Sequence, residues 1–415
     1  MKKKLGVYIH IPFCASKCAY CDFYSLAGRE RLMPDYKDAL CRHINESGRQ
    51  MEGYAIDTVY FGGGTPSYFG DKLLCDVLDV LKAQGRLRKD AEITFEANPD
   101  SLVQLDLQKM RKCGFNRISI GVQSADDAVL KMLGRRHDFA QARKAVQLAR
   151  QNGFENISID LMYGLPNQSG DGWAATLAMA LELQPSHISC YELKLEKNTP
   201  MYVFKDSPFI PDDDTTADMY LYAVELLRRN GLFQYEISNF AKRGCESRHN
   251  MKYWLRGEYI GFGAAAHSFI GGMRYSIVPD AEQYIRNIRL GSGVIDTKEE
   301  ISVFEQASEY LMLGLRTVRG VCESEYRSIY NSSFGMMNEL FELYREHGWA
   351  ELRDGRWSFT PEGFLLSNRL IGGILEAHTR QKAAAAGLVK NAEISDDQLT
   401  FFRNRDDIAS IFQGM

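Results

Sequence analysis

Cys14, Cys18 and Cys21 stand in one short run, Ile9-His10-Ile11-Pro12-Phe13-Cys14-Ala15-Ser16-Lys17-Cys18-Ala19-Tyr20-Cys21, with the spacing C-x3-C-x2-C. The next cysteine along the chain is Cys41. A four-iron, four-sulfur cluster usually takes four thiolates. Three thiolates hold three irons and leave the fourth open to an outside ligand. S-Adenosylmethionine suits that position, because its amino and carboxylate groups can chelate the iron. An electron from the cluster can then cleave the sulfonium to a carbon radical. Zinc is the alternative metal for clustered cysteines, although zinc prefers four closed ligands.

A second set of residues offers polar chemistry at regular intervals. Phe61-Gly62-Gly63-Gly64-Thr65-Pro66 puts three glycines before a threonine, a backbone that can approach a ligand closely. Glu96, in Phe95-Glu96-Ala97-Asn98-Pro99, and Gln123, in Gly121-Val122-Gln123-Ser124, each follow a β-rich run. Arg135 lies in Leu133-Gly134-Arg135-Arg136, and Asp160 lies within another such run. Each residue taken singly also suits an ordinary polar surface. Charged and polar residues recurring at successive strand ends do not, because unpaired burial is costly.

These residues need elements to position them. β-rich runs are predicted at 5–11, 58–61, 92–97, 117–121, 156–162 and 187–191, with helical patterns between. One helix is predicted to start after Asp100-Ser101, to carry Leu102, Leu105 and Met110, and to stop at Gly114. Another starts at Asp138 and carries Ala142, Ala145, Val146 and Ala149, with Gly153 beyond its end. Six strand–helix units predict an α/β fold with a parallel sheet. They are too few for an eight-stranded barrel. The expectation is a partial barrel whose site lies at the C-terminal ends of its strands.

Composition bounds the rest. The chain has 415 residues, net charge −4, 45% hydrophobic and 25% charged residues, which is ordinary for a globular protein and offers no basic field for nucleic acid. The start, Met1-Lys2-Lys3-Lys4-Leu5, is basic, but His10 and Pro12 interrupt the apolar stretch, so it reads as a strand rather than a signal peptide. No run is long and apolar enough for a membrane span. The other six cysteines, Cys41, Cys75, Cys113, Cys190, Cys245 and Cys322, are scattered. An odd total of nine predicts reduced thiols in a cytoplasmic setting.

The cysteine motif, the glycine triplet with Thr-Pro, and the strand-end Glu, Gln, Arg and Asp resemble the radical S-adenosylmethionine (radical SAM) superfamily. The run Tyr8-Ile9-His10-Ile11-Pro12-Phe13-Cys14 is similar to the branch that contains oxygen-independent coproporphyrinogen III oxidase. That resemblance implies a partial barrel of six strand–helix units, a [4Fe–4S] cluster on Cys14, Cys18 and Cys21, and S-adenosylmethionine bound to it. It implies that Tyr8, Gly63, Gly64, Thr65 and Glu96 lie near the cofactor. Gln123, Arg135 and Asp160 match residues that hold the nucleoside and a second ligand region. Tyr20 is placed near the adenine.

Two features separate the chain from the oxidase. The oxidase pattern has a fourth cysteine two residues past the third, where this chain has Phe23. The run Arg248-His249-Asn250-Met251-Lys252-Tyr253-Trp254 resembles the H-N-x-x-Y-W motif of the haem chaperone family called HemW. Histidine is a common axial ligand of haem iron, and Tyr253 and Trp254 offer flat apolar surface for a porphyrin. The same three residues also suit packing. His267, in Gly261-Phe262-Gly263-Ala264-Ala265-Ala266-His267-Ser268, is a second candidate ligand, though its surroundings suit a close-packed turn as well. The resemblance spans roughly residues 5 to 376. It implies a chaperone that binds haem and delivers it to haem-requiring respiratory proteins. Peripheral membrane association through those proteins and a homodimer are further expectations, and nucleic acid is not an expected partner. The enzyme alternative is oxidative decarboxylation of coproporphyrinogen III.

Five segments are expected: a core at 1–197, a linker at 198–216 with the acidic run Asp212-Asp213-Asp214, a mixed α+β segment at 217–300, a winged-helix-like module at 301–377, and a tail at 378–415 with no assigned role. Asp354-Gly355, between Ala350-Glu351-Leu352 and Trp357-Ser358-Phe359, predicts a hairpin in the fourth segment. The helix before it carries Glu339, Glu342 and Glu346, which suits no phosphate groove.

Overall fold

The computed structural model describes residues 2–385. They form two compact units. The first comprises residues up to 211 together with 241–252 and 257–300; the second comprises 212–240, 253–256 and the described residues from 301 onward.

In the first unit six parallel strands follow one another: β1 (Lys3–Ile11), β2 (Tyr54–Gly63), β3 (Leu87–Ala97), β4 (Arg117–Gln123), β5 (Asn156–Tyr163) and β6 (His187–Glu192). The main intervening helices are α1 (Met33–Glu46), α2 (Asp71–Ala83), α3 (Leu107–Cys113), α4 (Phe139–Gln151) and α5 (Gly170–Glu182). β7 (Tyr259–Phe262) pairs parallel to β1 on its other side. Antiparallel β8 (His267–Ile270), β9 (Met273–Ile277) and β10 (Ile295–Glu300) extend the sheet from β7. All six predicted strands are present; four are one or two residues longer than their β-rich runs, while β2 and β3 begin four and five residues earlier.

The strands show why this chain makes such a sheet. Leu5, Val7, Ile9 and Ile11 of β1 are fully buried, as are Ile118, Ile120 and Val122 of β4. Their alternates, at the two-residue period of a strand, are mostly polar. Register stacks those alternates in layers. Gly6, Thr58 and Glu92 form the lowest; Tyr8, Tyr60, Thr94 and Arg117 the next; Glu96, Ser119, Ser158 and His187 the third; Gly121, Asp160 and Ser189 the highest. We call the lowest layer the floor and the C-terminal strand ends the rim. From Thr58 to Gly63 the strand rises roughly 16 Å at 3.3 Å per residue.

Helix limits follow local chemistry. Asp138 caps α4 in a capping box with Gln141. The helix predicted to begin after Asp100-Ser101 is instead two pieces, Pro99–Leu102 and α3. Asp106 restarts the chain as the second cap by accepting from the Lys109 N–H, and Gly114, at φ +110, ends it. The stretch after β6 is also more ordered than a plain connection: Pro200–Phe204 is a 3-10 helix with Met201 buried.

In the second unit the acidic run opens a helix, Asp213–Arg229, capped by Asp212. Carboxylates in a first helical turn oppose the positive end of the helix dipole. Ser302 and Glu305 form a capping box on the helix Val303–Gly314. Val321–Cys322, Ala350–Arg353 and Arg356–Phe359 make a three-stranded sheet with helices Glu323–Tyr330 and Met337–Glu346. Asp354 and Gly355, at φ +51 and +72, form the predicted hairpin turn. The last helix is Ser367–Ala385. Residues 386–415 of the expected tail lie outside the described residues.

Candidate cofactor site

The cysteine loop begins directly at the rim of β1. Cys14 belongs to a two-residue strand, Phe13–Cys14, paired with Leu26–Ala27, and the Leu26 N–H donates to the Pro12 carbonyl at 2.6 Å. Inside the loop the Cys21 N–H reaches the Cys18 carbonyl at 3.2 Å. Ala19 fixes the loop on two sides: its N–H donates to the Leu133 carbonyl and its carbonyl accepts from the Met201 N–H, both at 3.0 Å. Tyr20 packs against an apolar cluster of Leu133, Met162, Leu165, Leu193 and Met201.

The glycine triplet brings β2 against this loop. The Gly64 N–H donates to the Ile11 carbonyl and the Thr65 N–H to the Phe13 carbonyl, both at 2.8 Å. A Cβ on Gly64 would lie 2.8 Å from the Pro12 carbonyl carbon, and one on Gly63, at φ +110, would overlap the His10 ring. The two backbones approach too closely for any larger residue. Thr65 Oγ1 lies 3.3 Å from Cys14 Sγ.

Arg135 gathers the opposite side. Its Nη1 lies 3.5 Å from Cys18 Sγ, and its Nη2 donates to Asn98 Oδ1 at 2.6 Å and to the Gly121 carbonyl at 2.5 Å. Its buried Nε has no partner. A narrow polar cleft here is lined by Ser16, Cys18, Thr65, Asn98 and Arg135. Gln123 holds φ +69, a left-handed conformation uncommon outside glycine, at the end of β4.

Two carboxylates sit behind the rim. Glu96 accepts from the Tyr60 hydroxyl at 2.9 Å and from the Gly63 N–H at 3.2 Å. Burial pushes its carboxyl up to about 7; those two bonds oppose the shift and the Asp160 charge adds to it. Asp160 accepts from the Ser119 hydroxyl at 3.1 Å and the Ser189 hydroxyl at 2.8 Å. Burial raises it as well, against the pull of both hydroxyls. Burial also raises the thiols of Cys14 and Cys21.

The donor set fits an iron–sulfur cluster with an added ligand. Three thiols lie on one short loop, the strand behind it is stripped of side chains, and a buried guanidinium nitrogen is left without a partner.

A sequence profile of the radical SAM superfamily matches residues 8–180. The haem chaperone HemW of Bacillus subtilis is 34% identical over 374 residues, covering 89% of this chain and 99% of that one. HemW of Synechocystis is 34% identical over 90% of this chain and 96% of its own. HemW of Escherichia coli is 33% identical over 88% and 97%. The chain belongs to the HemW family. Its cofactors are those of the radical SAM superfamily, a [4Fe–4S] cluster and S-adenosylmethionine. In fold it matches coproporphyrinogen III oxidase (HemN) from Escherichia coli, with TM-score 0.78 and 22% identity over 90% of each chain.

The predicted site residues divide between two places. Cys14, Cys18, Cys21, Gly63, Gly64, Thr65, Gln123 and Arg135 gather at the rim, with Glu96 and Asp160 in the upper layers. Tyr8 lies deeper, its hydroxyl 3.1 Å from His10 Nδ1 and its ring stacked on Tyr60 and His249. His249, the candidate haem ligand that also suits packing, lies away from the rim. It is fully buried at the floor, with Nδ1 2.9 Å from Thr58 Oγ1 and its ring stacked on Tyr60. Burial, helped by the Lys252 charge, lowers its imidazole to about 3, so the ring is neutral. The H-N-x-x-Y-W run forms helix α6 (Arg248–Trp254). Glu92 caps that helix with both oxygens, accepting from the Arg248 N–H at 3.1 Å and the His249 N–H at 3.0 Å. Lys252 pairs with Asp57 at 2.7 Å. Tyr253 and Trp254 fall in the second unit and are half-buried. His267 is exposed.

Sequence reasoning missed Thr58, Tyr60, Glu92, Arg117, Ser119 and Ser189. The signal was there: polar residues at every second position of otherwise apolar strands.

Proposed function

We propose that this protein binds haem and passes it to haem-requiring proteins of respiration. The observation that carries the reading is kinship with haem chaperones at 33–34% identity over about nine-tenths of the chain. Phe23, exposed where the oxidase pattern has a fourth cysteine, agrees with it. The setting is the cytoplasm, with a homodimer and peripheral membrane contact through the recipients as finer parts of the proposal. Among the described residues no helix is long and apolar enough to cross a membrane.

Cys14, Cys18 and Cys21 hold the cluster. Bound there, the cluster with S-adenosylmethionine supplies reductive cleavage of a sulfonium. The chain's own residues orient the cofactor. Backbone groups at Gly63 and Gly64, with Thr65 and Tyr8, would lie near it. Glu96 would accept from ribose hydroxyls, while Gln123, Arg135 and Asp160 would hold the nucleoside and a second ligand region. Tyr20 would flank the adenine. Tyr253 and Trp254 offer ring faces to the porphyrin. His249 reaches iron only if α6 leaves the floor.

Haem transfer is the test. Cluster-loaded protein, kept anaerobic with haem, is mixed with an apo-cytochrome, and the cytochrome spectrum is followed. Transfer faster than from free haem is the expected result. A parallel incubation with coproporphyrinogen III, S-adenosylmethionine and reductant should give no turnover. Protoporphyrinogen formed over many cycles would replace the chaperone reading with the oxidase.

A further inference from the structure

Cys75 and Cys113 are 38 residues apart in sequence, yet the fold brings the Cys113 thiol to the backbone of Cys75 where α2 packs on α3. Cys113 Sγ lies 3.9 Å from the Cys75 carbonyl and 3.9 Å from Asp79 Oδ1. Lys82 Nζ lies 3.8 Å from the same sulfur and 2.9 Å from Asp79. Cys75 is buried, whereas Cys113 is partly open at the end of its helix. Neither belongs to the cysteine loop, and nothing in the cofactor site uses them. The arrangement is unequal. Cys113 is the more open of the two, and the Lys82 ammonium beside it favours its charged form against burial and the Asp79 carboxylate. It is therefore the sulfur that a small disulfide can reach and that can supply a nucleophilic thiolate.

We propose that Cys75 and Cys113 form a reversible dithiol–disulfide site, in which Cys113 is the attacking sulfur and low-molecular-weight disulfides are the oxidant. Cys113 thiolate attacks one sulfur of the small disulfide, forming a mixed disulfide and expelling one small thiolate. Cys75 loses its proton to solvent and attacks Cys113 Sγ, forming the Cys75–Cys113 bond and expelling the second. Two protein thiols are oxidised and one small disulfide is reduced to two thiols. Disulfides inside reducing compartments are typically transient, as a reversible pair would be. Lys82 is a positioning residue in this scheme: it touches Cys113 and favours its charged form.

The test uses cluster-loaded protein treated anaerobically with oxidised glutathione, then differential alkylation and peptide mass mapping. The expected product is a peptide linked through Cys75 and Cys113 that dithiothreitol releases, with the cluster spectrum unchanged. In Cys75→Ser the reaction should stop at a glutathione adduct on Cys113. Lys82→Met should slow formation of that adduct roughly three- to tenfold, since less of the thiol is ionised. Absence of the linked peptide, together with an unmodified Cys113 in Cys75→Ser, overturns the proposal. Equal modification at Cys41 or Cys322 without a Cys75–Cys113 link overturns it too.

Discussion

At the rim, Arg135 holds Asn98 and Gly121 and reaches toward Cys18, yet its buried Nε is left without a partner. At the floor, Glu92 commits both oxygens to the first N–H groups of α6, and His249 bonds Thr58 between aromatic rings. Both places lie on one face of one sheet and use similar residue types. What differs is completion. The rim keeps polar atoms and stripped backbone for something the chain does not supply, because an unsatisfied buried group costs about 1–3 kcal/mol that a ligand can recover. At the floor Glu92, Thr58 and His249 find their partners within the chain, although Thr94 Oγ1 and Arg117 Nε one layer above are, like Arg135 Nε, buried without one. The floor is a clasp that fixes a helix.

The contrast breaks most visibly at the cysteines. Replacing Cys14, Cys18 and Cys21 together with Ala should remove the iron–sulfur absorption entirely, since the neighbouring strand end offers glycines and no thiol. Cys41→Ser and Cys322→Ser should keep it. Loss of the cluster in either single variant would move the ligand set away from the rim.

The floor should respond in stability instead. Glu92→Ala leaves two helical N–H groups buried without an acceptor, and the expected cost is about 3 kcal/mol. Urea denaturation of the cluster-free protein measures it. A cost within experimental error would mean that α6 is held some other way. His249→Ala is expected to cost about 3 kcal/mol, the low end for removal of a buried ring, while the Soret band of bound haem keeps its position. A shifted Soret band in a folded, cluster-bearing variant would return His249 to the ligand role its motif suggests and open the floor as a haem site.

The residues that sequence made readable are those whose spacing itself carries chemistry. Cysteines at C-x3-C-x2-C, glycines that admit a second backbone, and Asp138 at a helix start are local patterns; the glycines do admit the second backbone, and Asp138 does cap its helix. His249 was harder because a histidine beside aromatics fits a ligand and a packed ring equally well. Its partners, Thr58 and Glu92, lie more than 150 residues earlier in the chain. The break between Leu102 and Leu107 was hidden because the apolar period runs through it, and only Asp106 marks the restart. Cys75 and Cys113 looked scattered for the same reason as Thr58 and His249: contact between distant segments is a product of strand order and helix packing, not of local pattern.

Glu96 gives the finest test, because it belongs to the rim by role and to the interior by burial. Its carboxyl titrates near 7 in the folded chain, above its ordinary 4.5, chiefly through burial. Below 4.5 it is neutral folded or unfolded and carries no penalty. As pH rises through 7 the folded chain must carry the charge in a poorly solvated place, and this group's contribution to stability is lost. Glu96→Gln removes that burden. The variant should therefore gain stability relative to the parent between pH 5 and pH 8, measured on cofactor-free protein. Ligand binding should run the opposite way. If the ionised carboxylate accepts from ribose hydroxyls, the parent should bind S-adenosylmethionine more tightly as pH rises from 6 to 8. The variant should show little pH dependence and bind about tenfold more weakly at pH 8, the loss of one charge-assisted bond. Calorimetry on cluster-loaded protein at the two pH values reads both numbers. A variant as pH-dependent as the parent would place the titrating group elsewhere, with Asp160 next to examine. A variant that binds as tightly as the parent at pH 8 would remove Glu96 from the cofactor and leave it, like Glu92, as part of the sheet's internal bonding.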